Sequence, residues 1–486
     1  MRKYFSRMSN SIYLCLLLSF TMLLPRKDFA QEKKVKKNIL FIAVDDLKPI
    51  LGCYGDERIL SPNIEALAKR GTVFLNNYCQ QAVCAPTRAS LLTGLRPDKT
   101  KVWDLKTVMR DYVPDILTFP QYLIANGYET AATGKVFDPR SVDSGHDVSS
   151  WSIPYAKASG KRWLTSSGEV STEAPENPES DFADTRALNK SIELMDSLVA
   201  GDKPFFLAVG FKKPHLPFVA PKKYWDLYNR DDFEIHPFQE HAENAPEFAF
   251  QPGNELRKYD DIPKSGALSE EKQKELIHGY YACVSYIDDL VGRLIRKLDE
   301  RGLKDNTVIV LWGDHGWHLG DHGMWCKHTN FEQATRSPLI ISSPDIEGDK
   351  QSDSPTEFVD VFPTLCELAG VDIPEYIDGA SLVPVMNNPK VKVKNFAVSQ
   401  FQRDSDFGEL EGYAFRNERF RYVVWLPVKI RTDHKYSDNK VVARELYDYE
   451  KDPMEKISVV DDPEYSEVVE YFRKQVKSYF ENQQIH

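Results

Sequence analysis

The sequence predicts an α/β sandwich, with a large mixed central sheet in residues 37–395 and a small C-terminal antiparallel sheet-plus-helix domain in residues 396–486. Three observations predict it. Continuous apolar runs end abruptly in polar clusters at three distant points, a long amphipathic stretch lies between two of them, and beyond Met386 the texture changes to aromatic and basic alternation. At 486 residues the chain exceeds the roughly 250–300 at which one hydrophobic core stops growing, so a large and a smaller domain are expected.

The chain opens with Arg2, Lys3 and Arg7, continues through a 14-residue apolar run over residues 11–24, and reaches Phe29-Ala30-Gln31. A basic start, an apolar middle and a small residue before the cut describe a secretory signal peptide, removed after Ala30. A membrane-spanning helix needs about 20 apolar residues, so no stable membrane anchor is expected. The protein is expected to be exported to a periplasmic or extracellular space. Loss of residues 1–30 removes five basic residues and one acid, moving the formal charge from −11 to −15. So acidic a chain argues against a nucleic-acid partner, whose phosphates reward a basic face, and an anionic substrate must meet a local basic pocket.

The first buried strand is Asn38 to Val44, which ends in Asp45-Asp46. Ser61-Pro62 marks a helix start, with Ser61 as N-cap, and Gly71 closes that helix. A second strand over 205–210 runs into Lys212-Lys213-Pro214-His215, and a third over 307–312 into Gly313-Asp314-His315-Gly316. Ligands of open α/β sheets bind beyond the carboxyl ends of the strands, so these polar clusters are expected to converge on one site. Residues 269–302 are amphipathic and long enough for one or two helices. Two long loops, 156–184 and 233–266, are expected to wall a substrate cleft. Residues 413–425 read as antiparallel strands, closed by a helix over 463–480. Six cysteines follow residue 30, in no zinc-binding spacing, and a disulfide scaffold is not expected of so long a chain.

One of them, Cys84, lies in Cys84-Ala85-Pro86-Thr87-Arg88, followed by Leu92-Thr93-Gly94. This run resembles the signature of type I sulfatases, in which the cysteine is converted to formylglycine. The resemblance extends over nearly the whole mature chain, through Asp45-Asp46-Leu47, Gly134-Lys135-Val136-Phe137, Lys213-Pro214-His215 and Asp314-His315-Gly316-Trp317, and is closest in motifs to the iduronate-2-sulfatases. It implies an alkaline-phosphatase-like fold and hydrolysis of a sulfate ester on a uronic acid or another sugar of a sulfated oligo- or polysaccharide. A formylglycine-generating or equivalent maturation enzyme is implied as a partner.

A sulfate ester is a stable anion, so its cleavage needs a strong nucleophile and positive charge around the equatorial oxygens, as phosphoryl transfer does. The resemblance implies that Asp45, Asp46, Asp314, His315 and modified Cys84 bind a metal, and three carboxylates suit Ca2+. Arg88 is expected to hold modified Cys84, Lys135 and Lys327 to bind sulfate oxygens, and His215 to protonate the leaving alcohol. Where similar sulfatases place a histidine after the lysine, this chain has Asp138. Asp138 is expected to replace that histidine as the base releasing sulfate, the other role open to it being a pair with Lys135 or a turn cap before Pro139. Two rival readings share the fold: a phosphomonoester or phosphonate hydrolase, and a sugar-binding homologue without turnover.

Overall fold

The computed structural model describes residues 36–251, 253 and 255–483. The signal-peptide reading lies outside these residues, and among them no helix is long and apolar enough to cross a membrane.

The main sheet contains β1 (Asn38–Val44), β2 (Thr72–Phe74), β3 (Glu129–Gly134), β4 (Phe205–Phe211), β5 (Thr307–Gly313), β6 (Leu339–Ser342) and β7 (Lys350–Ser352), in the order β7-β2-β6-β5-β1-β4-β3. The strands β5, β1, β4 and β3 are parallel, whereas β6 is antiparallel to β5 and β2, so the sheet is mixed. The three apolar runs are its central strands β1, β4 and β5, buried throughout. Continuous apolar sequence is needed there because both faces are covered. Leu40, Ile42 and Val44 enter one core, while Ile39, Phe41 and Ala43 enter the other. The first core takes α1 (Pro62–Ala68), α3 (Ala183–Val199) and α4 (Glu270–Glu300); the second takes α2 (Cys84–Thr93) and α5 (Val361–Ala369).

Residues 269–302 form one helix rather than two. Its 31 residues are capped by Ser269, whose hydroxyl accepts from the Lys272 amide, with Glu270 and Glu271 complementing the dipole. Ser61 stands at the N-cap of α1, but its hydroxyl makes no capping bond. It donates to Glu65 at 3.2 Å and accepts from the Gly52 amide at 3.2 Å, which leaves Pro62, with its preset φ, to start the helix.

At the C-terminal end, β8 (Ala397–Ser405), β9 (Gly408–Arg416), β10 (Phe420–Pro427) and β11 (Ala443–Asp448) form an antiparallel meander beside α6 (Ser466–Gln483). Alternation sorts the two faces. Tyr413, Phe415, Tyr422 and Val424 pack with Phe472, Val476 and Phe480 of α6. Leu410, Ala414, Val423 and Trp425 turn the other way, onto Phe250, Met324 and Phe331. The closing helix begins later than expected, because Pro463–Tyr465 is a 3-10 turn, and α6 continues past residue 480 to Gln483.

Candidate active site

Register brings the polar clusters together. Val44 pairs with Phe211 on one side and with Gly313 on the other, so β1, β4 and β5 end at one level. Asp45 and Asp46, Lys212 to His215, and Asp314 with His315 therefore leave the sheet side by side. At the neighbouring edge Gly134 pairs with Gly210. Gly134 has φ +74°, and a Cβ there would sit 1.9 Å from the Gly210 carbonyl oxygen, so only glycine lets the chain turn over β4 and deliver Lys135.

Cys84 is the first residue of α2 and is buried against this cluster. Its Sγ lies 3.9 Å from Asp46 Oδ1 and 3.4 Å from His315 Nε2. His315 Nε2 is also 3.3 Å from Asp46 Oδ1 and 3.5 Å from Asp314 Oδ1. Lys135 Nζ donates to Asp45 at 2.7 Å, and Lys327 Nζ to both Asp46 oxygens at 2.9 Å. Three of the residues that aim these groups carry non-glycine left-handed backbones: Asp46 (φ 58°), Cys326 (φ 77°) and His328 (φ 74°). Asp46 is held from behind by α4, where Tyr280 Oη donates to its carbonyl at 2.6 Å.

Arg88 is fully buried beside the cluster. Its side-chain hydrogen bonds go to Asp45 at 3.0 Å, to Asp314 at 2.9 Å and to the carbonyls of Lys135 and Val136, not to Cys84. A guanidinium is a fork of donors, and a fork facing two carboxylates spaces them. Lys135 and Lys327 likewise contact carboxylates here. Asp138 is buried, with one oxygen accepting from Arg140 Nε at 2.8 Å and the other from Nη2 at 2.7 Å, while Lys135 Nζ stands 3.6 Å away. It also accepts the Arg140 amide at 3.0 Å, closing a turn around Pro139.

The charges are strongly coupled. Burial raises Asp45, but Lys135 and Arg88 outweigh it and hold this carboxyl well below the usual range. Burial pushes Asp46 up to about 7 despite Lys327, with Asp45 adding to the rise. Burial and then Asp45 hold the Cys84 thiol far above its ordinary value, so as a thiol it stays protonated and is a poor nucleophile. His215 is pushed down to about 4 by burial and Lys327. Its Nδ1 faces the Leu216 carbonyl at 2.7 Å, which makes Nδ1 the donor and leaves Nε2 facing Glu255 at 3.4 Å and Asp46 at 3.8 Å.

The donor atoms fit a cation. Asp45, Asp46, Cys84 and His215 form one set and Asp46, Cys84, Asp314 and His315 another, each with its ligand atoms within 4.8 Å of one another. Three carboxylates give a hard, oxygen-rich shell, and further positive charge among them opposes the rise of Asp46.

Sequence reading missed Glu255 and His328. Glu255 bridges His215 and Lys327, both at 3.4 Å, and the Lys327 charge foremost, with His215 beside it, holds it far below the usual carboxylate range against burial. It comes from the 233–266 loop, which carries no motif of its own; a carboxylate in that loop had no local signal to mark it. Both long loops do line the cleft: with the site they enclose a cavity of about 1040 Å3 that reaches Cys84.

Comparison with known proteins agrees with this arrangement. Residues 37–371 match the family model "Sulfatase", and residues 320–482 match "N-sulphoglucosamine sulphohydrolase, C-terminal". Human iduronate 2-sulfatase is 33% identical, covering 87% of this chain and 91% of the relative. A sulfatase of Formosa agariphila is 30% identical, covering 94% and 90%. Among solved structures, the phosphonate monoester hydrolase of Agrobacterium radiobacter superimposes with a TM-score of 0.76 at 22% identity, over 92% of this chain and 96% of that one. A protein solved with its substrate D-glucosamine-2-N,6-O-disulfate gives 0.72 at 23%, over 91% and 98%. These two establish the fold. With the family model spanning most of the chain, the conclusion is that the protein belongs to the type I sulfatases, sulfuric ester hydrolases, and is similar to their iduronate 2-sulfatase members.

Proposed function

We propose that the enzyme removes sulfate from a sugar of a sulfated polysaccharide, with a 2-sulfated uronic acid as its leading candidate, after Cys84 has been oxidised to formylglycine by a separate maturation enzyme and with Ca2+ as its metal. Export through the residue 1–30 signal peptide would bring it to polysaccharide outside the cytoplasm. The observation that carries the reading is the placement of Cys84, at the head of a buried helix, 3.4 Å from His315 and 3.9 Å from Asp46, at the inner end of a cavity. The likeness to iduronate 2-sulfatase supports the uronic acid.

Formylglycine, once hydrated, supplies a hydroxyl that can attack sulfur, which a buried neutral thiol does not. Calcium, when bound, supplies positive charge to the carboxylate shell and the reacting oxygens. The remaining work falls to side chains. Arg88 fixes the spacing of Asp45 and Asp314. Lys135 and Lys327 present point charges to sulfate, a role that loosens their carboxylate contacts once a metal shares those oxygens. His215 gains a proton at Nε2, toward the cavity, when sulfate brings negative charge beside it and favours the imidazolium that burial opposes.

The test is release of inorganic sulfate across a panel of defined sulfated oligosaccharides, alongside matched aryl sulfate and aryl phosphate esters. Mass spectrometry of the active protein should show the Cys84 peptide about 18 Da lighter than its cysteine form, as expected for aldehyde in place of thiol. Cys84→Ser should fold normally and lose turnover. Full activity in protein bearing only the thiol, or phosphate release that outruns sulfate release, sinks the reading.

A further inference from the structure

The cavity is much more basic at its mouth than this chain's composition suggests. The protein carries a formal charge of −11, yet Lys157, Lys161, Lys212 and Lys258 all line the cavity. Among the described residues, none of these four side chains has a hydrogen bond, an ion pair or an aromatic partner. Most of the cavity's carboxylates are already committed. Asp45 takes Arg88 and Lys135, Asp138 takes Arg140, Glu255 takes His215 and Lys327, and Asp184 accepts the amides of Lys212 and Lys213. Of the cavity's carboxylates, Glu169 alone has no hydrogen bond or ion pair to its side chain among the described residues. Four like charges lining one cavity, opposed only by Glu169 and by Asp184 beside Lys212, leave an excess of positive charge that an anion relieves.

These lysines are also set apart from the sulfate-cleaving groups. Lys135 and Lys327 are buried against Asp45 and Asp46, whereas Lys157, Lys161, Lys212 and Lys258 are exposed. The cavity, at about 1040 Å3, is slightly larger than the roughly 300–1,000 Å3 typical of small-molecule sites. It has room for more than the sugar that carries the scissile sulfate.

We infer that the rim formed by Lys157, Lys161, Lys212 and Lys258 is a second anion subsite, which takes a carboxylate or sulfate on a neighbouring sugar of the same chain. The inference rests on the sulfatase reading and deepens it. The substrate is thereby a polyanionic oligosaccharide at least two sugars long, and a singly charged sulfate ester gains nothing from the rim.

The test compares wild type with a Lys157→Glu/Lys161→Glu double variant on three probes: a small aryl sulfate, a monosulfated disaccharide, and disaccharides matched to it but bearing a second anion, carboxylate in one arm and sulfate in the other. The expected result is a loss of roughly tenfold in kcat/KM on the second-anion probes, the scale of two exposed charge contacts turned from attraction to repulsion. The loss should fall on KM, shrink at high salt, and spare the aryl sulfate. The arm that suffers more names the anion. Equal kcat/KM for both proteins on the second-anion probes overturns the subsite, as does an equal loss on the aryl sulfate, which would make the lysines general attractors. Failure of the sulfatase reading looks different: no probe is cleaved by wild type. In that case calorimetric binding of the same disaccharides still decides the rim, since the subsite requires tighter binding of the second-anion probes by wild type than by the variant.

Discussion

Arg88→Met is the substitution whose cost the structure sets most directly. The guanidinium is fully buried and donates to Asp45 at 3.0 Å and Asp314 at 2.9 Å. Methionine keeps much of the length and removes the charge. Removing one partner of a buried pair costs about 3–5 kcal/mol, because the other charge stays buried. Asp45 keeps Lys135 at 2.7 Å, so the loss concentrates on Asp314, whose other basic neighbour is His315 at 3.5 Å. We expect the variant to unfold with about 3–5 kcal/mol less free energy at pH 7, a large share of the roughly 5–15 kcal/mol of a typical domain. The pH dependence has a definite sign. In wild type the Asp45 carboxyl is held well below its unfolded value, so its contribution is present above about pH 4 and is lost as pH falls through the folded value. Without Arg88 the buried cluster carries uncompensated negative charge that protons relieve, so the deficit should shrink on acidification from pH 7 to 5. Added calcium should shrink it too, by restoring positive charge. Urea unfolding at both pH values, with and without calcium, reads all three effects. A deficit under about 1 kcal/mol at pH 7, or one indifferent to pH, refutes the idea that Arg88 is the counter-charge of this cluster.

Chelation should abolish activity, and calcium should restore it better than zinc; calcium at 100 times its dissociation constant should also stabilise the fold by about 2.7 kcal/mol. Zinc-selective rescue would contradict the oxygen-rich shell of Asp45, Asp46 and Asp314. If Asp138 is the base that releases sulfate, Asp138→Asn should lower kcat by about 10²–10⁴-fold. Burial raises Asp138, but Arg140 and Lys135 outweigh it and keep the carboxyl well below its usual range, so activity should persist to lower pH than a histidine base permits. Wild-type turnover in Asp138→Asn leaves the residue as the clamp on Arg140 and turns the search to His215 or to His146, which also lines the cavity.

Much of the site was legible because its groups sit where strand chemistry changes. An apolar run long enough to be buried on both faces must stop where the chain meets the crevice, so Asp45, Asp46, Asp314 and His315 are marked by the strands that precede them. Cys84 and Arg88 are marked by spacing, four residues apart on one turn of α2. Glu255 and Lys157 are not marked at all, since both sit in loops whose path follows no period. Ser61 shows a different limit: the residue type and the position were right, yet Glu65 and Gly52 took the hydroxyl, a competition visible only once those groups are neighbours.

The sequence by itself determined the class of fold, the strand ends that meet at the crevice and the family to which the Cys84 motif points, because burial on both faces, the helix-start residues and that motif are local properties of the chain. Tertiary structure alone decided which charges meet. Arg88 lies 226 positions from Asp314, and Lys327 lies 281 from Asp46. Partners so far apart are brought together by strand register, here Val44 opposite both Phe211 and Gly313, and a slip of one residue in β1 would turn its side chains to the other face and carry Asp45 and Asp46 away from Asp314.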